Sequence, residues 1–138
     1  MYLFLIENEI WKIYGIGSSA DRCEVLEEME FLSQNFERDV VKMVAILDRA
    51  AKTPEGPRCF PTEISHQVDK ENSIWQFTAG RLRLLWFYDE GKIIICTNIF
   101  IKKGQKTPRK EKERAIKLKQ QYFTAKRNDK LIVIDDED

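Results

Sequence analysis

The sequence predicts an α+β protein in which helices pack against an antiparallel sheet. Three observations support this fold class. Runs of aromatic and β-branched residues mark strands, apolar residues at helical spacing mark two other regions, and turn residues at hairpin lengths join the central strands. The length of 138 residues suits one domain, which we place at residues 1–134.

Two aromatic and β-branched runs open the chain and predict an N-terminal β-hairpin. They are Tyr2–Ile6 and Ile10–Tyr14, separated by the polar residues Glu7–Glu9. We expect the glycine-rich segment Gly15–Ser19 to end the second strand. Asp21 is the predicted N-cap of the helix that follows, because its carboxylate can accept hydrogen bonds from the first free N–H groups.

Apolar residues at helical spacing then predict a two-helix hairpin over about residues 22–52. The stripe consists of Val25, Met29, Leu32, Phe36, Val40, Val44, Leu47 and Ala51. The segment Thr53–Pro57 contains two prolines and a glycine, so it ends the second helix. The polar stretch from there to Asn72 has too little periodicity for a prediction.

The middle of the chain predicts three strands, at Ile74–Phe77, Leu82–Tyr88 and Ile93–Phe100. The connections Ala79–Gly80 and Asp89–Gly91 have the length and residue types of hairpin turns. We therefore expect an antiparallel β-meander.

The last part of the chain predicts a C-terminal helix and a short apolar segment. Thr107 is the predicted N-cap, and Pro108 suits the first turn because its fixed φ matches a helix. The apolar stripe of this helix consists of Ala115, Leu118 and Tyr122. The short apolar segment that follows, Leu131–Ile134, is either an edge strand or a docking tail.

The balanced total of 23 basic and 23 acidic residues hides a strong asymmetry. Residues 1–72 carry 14 acidic and 8 basic side chains, whereas residues 73–134 carry 5 acidic and 15 basic ones. The segment Lys102–Lys119 alone has nine Lys or Arg residues. This pattern predicts a basic working surface on the second half. Asp135–Asp138 form an acidic tail, which we expect to be disordered or to shield that surface.

Several functional classes are excluded by the sequence. Cys23, Cys59 and Cys96 are odd in number and far apart, which excludes a disulfide framework and a CxxC motif. His66 is the only histidine, which excludes a His-based triad or a multi-histidine metal site, and we interpret it as a surface loop residue. No apolar run reaches the ~18 residues of a membrane span. We expect a cytoplasmic protein that needs no cofactor or metal and contacts no membrane.

The turn from the third meander strand into the C-terminal helix is unusually basic. Lys102, Lys103 and Lys106 precede the helix, and Arg109 and Lys110 lie in its first turn. Cations are unfavourable at a helix N-terminus because the free N–H groups there carry partial positive charge. A bound phosphate would remove that conflict. The alternative is a solvated basic helix stabilised by charge pairs.

Arg81 and Arg83 are separated by one residue at the start of the central meander strand, so we expect both to face the same side of the sheet. If that side adjoins the basic turn, the arginines and lysines converge on a surface suited to a phosphodiester. The alternative is a pair of solvated arginines at a sheet edge. Tyr122 and Phe123 are the aromatic residues that we expect to be exposed, where they could stack on unpaired bases.

Residues 73–123 resemble the HigB-like, phage-derived branch of the RelE/ParE toxin superfamily. The motifs that carry the resemblance are Ile74–Phe77 (IWQF), Arg81–Phe87 (RLRLLWF) and above all Phe100–Pro108 (FIKKGQKTP). Including the predicted helices upstream, the likeness extends over roughly residues 10–123. It implies a RelE-like α+β fold with N-terminal strands, a two-helix hairpin, a meander and a C-terminal helix.

The resemblance also implies a function. Members of this branch are ribosome-dependent mRNA endonucleases that attack the phosphate with the RNA 2′-hydroxyl, without metal, and are held inactive by an antitoxin of helix-turn-helix type. The implied catalytic residues are Arg83, Lys102 and Lys103. The implied and inferred RNA-binding residues are Arg81, Lys106, Arg109, Lys110 and Tyr122.

Two departures from the family pattern leave other functions open. Asn98 stands where members often have a histidine, and no arginine follows the strand motif at Gln76–Thr78. These departures favour a non-catalytic module of the same fold that binds RNA or a protein. A third alternative is a ParE-like protein that acts on DNA gyrase through protein contacts.

Overall fold

A computed structural model describes residues 1–135 and shows eight strands in one mixed sheet, with a long helix on each face. The strands run in the order β4-β5-β6-β7-β2-β1-β8, and β3 pairs with β2 beside this path. The α+β class predicted from the sequence is confirmed. The elements are β1 (Tyr2–Asn8), β2 (Lys12–Ser19), β3 (Arg22–Cys23), α1 (Glu24–Lys52), a 3₁₀ helix (Gly56–Cys59), β4 (Ser65–Asp69), β5 (Ile74–Ala79), β6 (Leu82–Asp89), β7 (Ile93–Ile101), α2 (Arg109–Arg127) and β8 (Ile132–Ile134).

The central strand β6 divides the core into two layers. Leu84 and Trp86 are fully buried on the face that α1 covers. Leu85 and Phe87 are fully buried on the opposite face, where α2 packs. Successive strand residues point to opposite faces, so a strand covered on both sides reads as one continuous apolar run. The predicted meander β5-β6-β7 is confirmed: β5 pairs with β6, and β6 with β7, in antiparallel orientation.

The N-terminal hairpin is confirmed, but the prediction that Gly15–Ser19 ends its second strand is wrong. β2 continues to Ser19 and pairs with β1 as far as Gly17. Glycine is needed there for space, since a Cβ on Gly17 would lie 2.6 Å from the carbonyl oxygen of Arg22. Asp21 is not the N-cap either. The helix begins at Glu24, and the Asp21 carboxylate accepts a 2.7 Å hydrogen bond from Ser19 Oγ in the preceding turn.

The two helices predicted over about residues 22–52 are present, but a kink joins them and not a hairpin loop. α1 runs from Glu24 to Lys52, and only Phe36 leaves helical geometry, with φ −131° and ψ 42°. No glycine or proline marks this kink in the sequence. Both halves bury apolar side chains against the same face of the sheet, Met29 in the first and Met43 in the second.

The stretch without a sequence prediction forms the 3₁₀ helix and β4. β4 pairs with β5 in an antiparallel register that sets His66 opposite Gln76. His66 is therefore a strand residue, not the surface loop residue that the sequence analysis assumed.

The C-terminal helix is confirmed, but its predicted N-cap is wrong. α2 begins at Arg109 with Pro108 in the N-cap position and no side-chain cap. Thr107 Oγ1 instead donates a 2.8 Å hydrogen bond to Gln76 Oε1 on β5. The last apolar run is an edge strand, since β8 pairs in parallel with β1.

The last described strand, β8, lies at the edge of the sheet farthest from the meander. β8 is parallel to β1 and β1 antiparallel to β2, while β2 is parallel to β7. β8 therefore runs opposite to β7, away from the basic turn that follows β7. Residues 136–138 of the predicted acidic tail lie outside the described residues.

Candidate functional site

A cavity of about 520 Å³ lies where the meander strands meet the turn before α2. We call it the meander cavity. Its ionisable lining residues come from four places in the fold, which the tertiary structure brings together: the loop before β4, β4 itself, β6, and the segment from the end of β7 into α2. These residues are Glu63, His66, Arg83, Lys102, Lys106 and Lys112.

Arg83 reaches this cavity because β6 presents it on the face that α2 covers. One guanidinium nitrogen, Nη1, donates hydrogen bonds of 2.7 Å and 2.9 Å to the carbonyl oxygens of Gly80 and Leu82. Burial lowers the pKa of Arg83 from its ordinary value, and the nearby Asp39 opposes the shift. An arginine remains charged under these conditions. Within residues 1–135 its other guanidinium nitrogens have no hydrogen-bond partner, so they are free for a ligand.

Lys102 and Lys106 bring two further cations to the same cavity. The backbone N–H of Lys102 donates a 2.7 Å hydrogen bond to the Arg81 carbonyl, which continues the β6–β7 pairing for one residue. Neither ammonium group forms an ion pair with a carboxylate in the described part of the chain. The cavity therefore carries an excess of positive charge, with four cationic lining residues against the single carboxylate of Glu63.

Two buried amide side chains tie the region around the start of α2 to the sheet: Gln76 lines the meander cavity, and Asn98 lines a second, adjoining cavity. Gln76 accepts the hydrogen bond from Thr107, which ties the basic turn to β5. Asn98 Nδ2 donates a 2.9 Å hydrogen bond to the Glu111 carboxylate and a 3.3 Å one to its carbonyl oxygen. Asn98 Oδ1 in turn accepts a 2.6 Å hydrogen bond from Thr97 Oγ1. Asn98 thus fixes the first turn of α2 on β7.

His66 is a lining residue that the sequence analysis missed. Its Nδ1 is closed to solvent and has no hydrogen-bond partner among residues 1–135. The sequence signal was weak because β4 reads SHQVD, with one strongly apolar residue, Val68, in five. The only sequence feature that could have flagged this position is that His66 is the sole histidine of the chain.

Three of the predicted site residues lie elsewhere. Lys103 and Lys110 line a second cavity, of about 840 Å³, between the open edge of β7 and the first turns of α1 and α2. Arg81 lies with its guanidinium carbon 5.6 Å from the centre of the Phe36 ring, on the α1 side. The prediction that Arg81 and Arg83 face the same side is wrong, because Arg81 belongs to the turn before β6.

Arg109 lies beside the meander cavity without lining it. Its side chain is 91% exposed and forms a 2.9 Å ion pair with Glu113, one helical turn further on. It shares a neighbouring surface depression with Lys106. An exposed ion pair of this kind contributes little to stability, so Arg109 can exchange its partner for a phosphate at small cost.

Tyr122 is not exposed, which corrects the prediction that it stacks on bases. It is 3% exposed and packs against Phe87 and Phe123. Its hydroxyl donates a 2.6 Å hydrogen bond to Asp89, which also accepts hydrogen bonds from Lys126. Burial, followed by the contact with Asp89, raises the pKa of Tyr122 above its ordinary value. Tyr122 is a core residue that joins α2 to β6.

Other kinds of site find no support in the described part of the chain. His, Cys, Asp and Glu side chains of residues 1–135 form no group of three or more placed to hold a metal ion. No helix within the same residues is long and apolar enough to cross a bilayer.

The fold and the cavity define an α+β protein that offers an unneutralised basic cavity at one end of a β-meander. The chain belongs to the family described as Phage derived protein Gp49-like (DUF891), whose model matches residues 27–120. This is a RelE-like, toxin-like family, and such a family implies an antitoxin partner. No curated protein matches the chain.

Proposed function

We propose that the chain is a HigB-like toxin that cleaves mRNA on the ribosome. The observation that carries the proposal is the convergence of Arg83, Lys102 and Lys106 on one cavity in which no carboxylate pairs with them. An RNA phosphodiester is an anion of the right kind for such a cavity, since guanidinium and ammonium groups bind phosphate through short charged hydrogen bonds.

The reaction we propose is attack of the RNA 2′-hydroxyl oxygen on the adjacent phosphorus. Charge builds up on the phosphate oxygens in the transition state, and fixed cations stabilise that state more than the substrate. Arg83 is held by two backbone carbonyls, which leaves its other guanidinium nitrogens available to bind this charge. Lys102 adds a second cation, while Lys106 and Arg109 bind the RNA backbone at the rim.

The proposed active site uses Lys102 and not Lys103. The two lysines line different cavities, so only Lys102 can share a phosphate with Arg83. Lys110 lies with Lys103, and Arg81 lies over Phe36. These three residues do not line the meander cavity.

The biological setting we propose follows from the family. The toxin domain spans residues 1–134, acts in the cytoplasm on ribosome-bound mRNA, and is neutralised by an antitoxin of helix-turn-helix type.

A second function, a non-catalytic RNA- or protein-binding module, is favoured by one observation. Asn98 stands where related toxins often have a histidine, and here its amide is buried and bonded to Glu111 and Thr97. An amide does not transfer protons in the pH range of the cell. Asn98 also lines the second cavity and not the meander cavity. If no group of the meander cavity transfers the proton, the protein binds RNA without cutting it.

Induced expression in a bacterium, with mapping of mRNA 5′ ends, tests these alternatives. The nuclease predicts growth arrest and new internal mRNA ends, both lost in the double variant Arg83→Ala/Lys102→Ala. The double variant Lys103→Ala/Lys110→Ala removes the same charge from the other cavity and is the matched control, which should still produce the ends. Growth arrest without new ends contradicts the nuclease, and wild-type protein that neither arrests growth nor cuts mRNA supports the binding module.

A further inference from the structure

We propose that His66 is the general base of the meander cavity, a role that rests on the RNA cleavage proposed above. Cleavage through the 2′-hydroxyl needs a group that removes the hydroxyl proton. Arginine cannot act as that group, and lysine is normally protonated at neutral pH. Imidazole is the side chain that exchanges protons near neutrality, and His66 is the only one in the chain.

The strand register places His66 on the same side of the sheet as Arg83. His66 lies opposite Gln76 on β5, and Thr78 on β5 lies opposite Arg83 on β6. Gln76 Nε2 donates a 3.4 Å hydrogen bond to Thr78 Oγ1, so both side chains share one face. Neighbouring strands are about 4.8 Å apart, which puts β4 and β6 roughly 10 Å apart across the sheet. The two residues are also offset by two positions along the strands, and both side chains line the same cavity.

Neither ring nitrogen of His66 is used in a hydrogen bond to the described residues, which leaves the imidazole without a structural hydrogen-bonding role. A structural histidine uses its ring nitrogens to bond the surrounding protein, and an unpaired buried nitrogen costs stability. Nδ1 of His66 is enclosed without a partner, and no described residue binds Nε2. Since the residue lines the cavity, Nε2 is the nitrogen through which it can meet a ligand.

The step balances with groups that the cavity holds. The 2′-oxygen forms a bond to phosphorus as the bond from phosphorus to the 5′-oxygen breaks. The proton of the 2′-hydroxyl goes to His66 Nε2, and the leaving 5′-oxygen takes a proton from the ammonium group of Lys102 or Lys106. The products are a 2′,3′-cyclic phosphate and a 5′-hydroxyl, and both protein groups regain their protonation state from water.

The other charged residues that line the cavity with His66 are one carboxylate, which is an alternative candidate for the general base, and four cations. Glu63 comes from the loop before β4, Arg83 from β6, Lys102 from the end of β7, Lys106 from the turn and Lys112 from α2. Only Glu63 could accept the hydroxyl proton in place of His66. The variants His66→Gln and Glu63→Gln therefore separate the two assignments.

Cleavage of ribosome-bound mRNA by purified protein, measured by primer extension between pH 6 and 8, is the kinetic test. We expect His66→Gln to slow cleavage by about 10²–10⁴-fold, the usual contribution of general-base catalysis, and to remove the rise in rate with pH. Glu63→Gln should stay within about threefold of wild type. A His66→Gln variant that cleaves at the wild-type rate, or a Glu63→Gln variant that loses cleavage, overturns the assignment while the nuclease stands. Wild-type protein that leaves mRNA intact overturns both.

A binding measurement distinguishes loss of chemistry from loss of folding. Because the chain has one histidine, its imidazole NMR signals need no assignment. A dinucleotide with 2′-deoxyribose before the phosphate cannot be cleaved and should shift these signals in the wild type. The shifts should be lost in Arg83→Ala/Lys102→Ala and kept in Lys103→Ala/Lys110→Ala. Imidazole signals that do not respond while backbone signals at Arg83 and Lys102 do respond count against His66.

Discussion

Lys102 and Lys103 are neighbours in the sequence but line two different cavities. The backbone N–H of Lys102 still bonds to the Arg81 carbonyl, so strand alternation persists beyond the end of β7. Side chains at successive positions of an extended chain point to opposite faces. One residue in the sequence therefore separates a lysine that shares a cavity with Arg83 from one that does not.

Lys102→Ala should lower the rate of mRNA cleavage by at least tenfold, because it removes a cation from the charged transition state. Lys103→Ala removes an identical charge one residue away and should change the rate by less than about threefold. The number and intensity of new mRNA 5′ ends after induction measure both effects. Equal losses in the two variants would show that the lysines act as a general basic surface and not through the meander cavity.

The Asp89 carboxylate should stabilise the fold in a pH-dependent way. Burial raises its pKa, but hydrogen bonds from Lys126, Tyr122 and the backbone N–H of Glu90 outweigh that effect, and the pKa lies below its ordinary value. A lowered pKa means stability that is present above the unfolded-state pKa of about 3.9 and is lost as the pH falls through the lower folded-state value. Asp89→Asn should lower the free energy of unfolding by about 1–3 kcal/mol at pH 7.

The check is urea denaturation of wild type and Asp89→Asn at several pH values. The difference between them should hold from pH 7 to about pH 4 and shrink below that, since the wild-type carboxylate then becomes protonated. Glu90→Gln, an exposed change at the next residue, is the control and should show no such trend. A constant difference down to pH 3 would mean that Asp89 acts through packing alone.

The two hairpin turns that flank β6 should tolerate alanine differently. Gly80 and Gly91 both have positive φ, +59° and +84°, so alanine is strained at each by about 1–3 kcal/mol. Nothing lies within 4 Å of a Cβ at Gly91, whereas a Cβ at Gly80 would collide with the Asp39 carboxylate. That carboxylate is held in place, because it accepts a 3.0 Å hydrogen bond from the Arg81 N–H.

We therefore expect Gly80→Ala to cost more stability than Gly91→Ala in thermal or urea unfolding. In the background Asp39→Ala, the collision is absent and the extra cost of Gly80→Ala should largely disappear. Equal costs of the two glycine changes in the wild-type background would refute the role given to Asp39.

One thiol of three should be reactive in the folded protein. Cys23 and Cys96 are buried, and Cys59 is partly exposed. Burial raises the pKa of the Cys23 and Cys96 thiols, which lowers their thiolate fraction as well as their access to reagent. At pH 8 a thiol reagent such as Ellman's should titrate one group quickly and three after denaturation. Cys59→Ser should abolish the fast reaction, and a fast reaction that persists would place the reactive thiol in the core.

The meander could be predicted from the sequence because each of its strands carries its own signal. Leu84–Phe87 form a continuous apolar run, and Gly80 and Gly91 mark the turns at both ends. The kink of α1 could not be predicted, because its position depends on distant contacts. Phe36 packs under Arg81 and Asp39 binds the Arg81 backbone, and neither contact has a local pattern in the sequence.

Only part of the candidate site could be predicted, because some of its residues are brought together by strand pairing that leaves no local pattern in the sequence. The sequence places Arg83, Lys102 and Lys106 among the candidate site residues, and the structure brings these three to one cavity. The rule that alternate strand residues share a face does not apply to Arg81 and Arg83, because Arg81 belongs to the turn before β6 and not to the strand. His66 was missed, because β4 is a polar strand whose place beside β5 is set by pairing and not by an apolar pattern of its own.

α2 is fastened to the sheet at both of its ends. Asn98 holds Glu111 in the first turn, and Asp89 holds Tyr122 and Lys126 near the last. A helix anchored at two separated points cannot swing outward like a lid without breaking one of them. In the function proposed above, an RNA strand would therefore meet a meander cavity whose α2 wall is already in place, so that fit to a preformed cavity, and not closure of α2, would select the substrate.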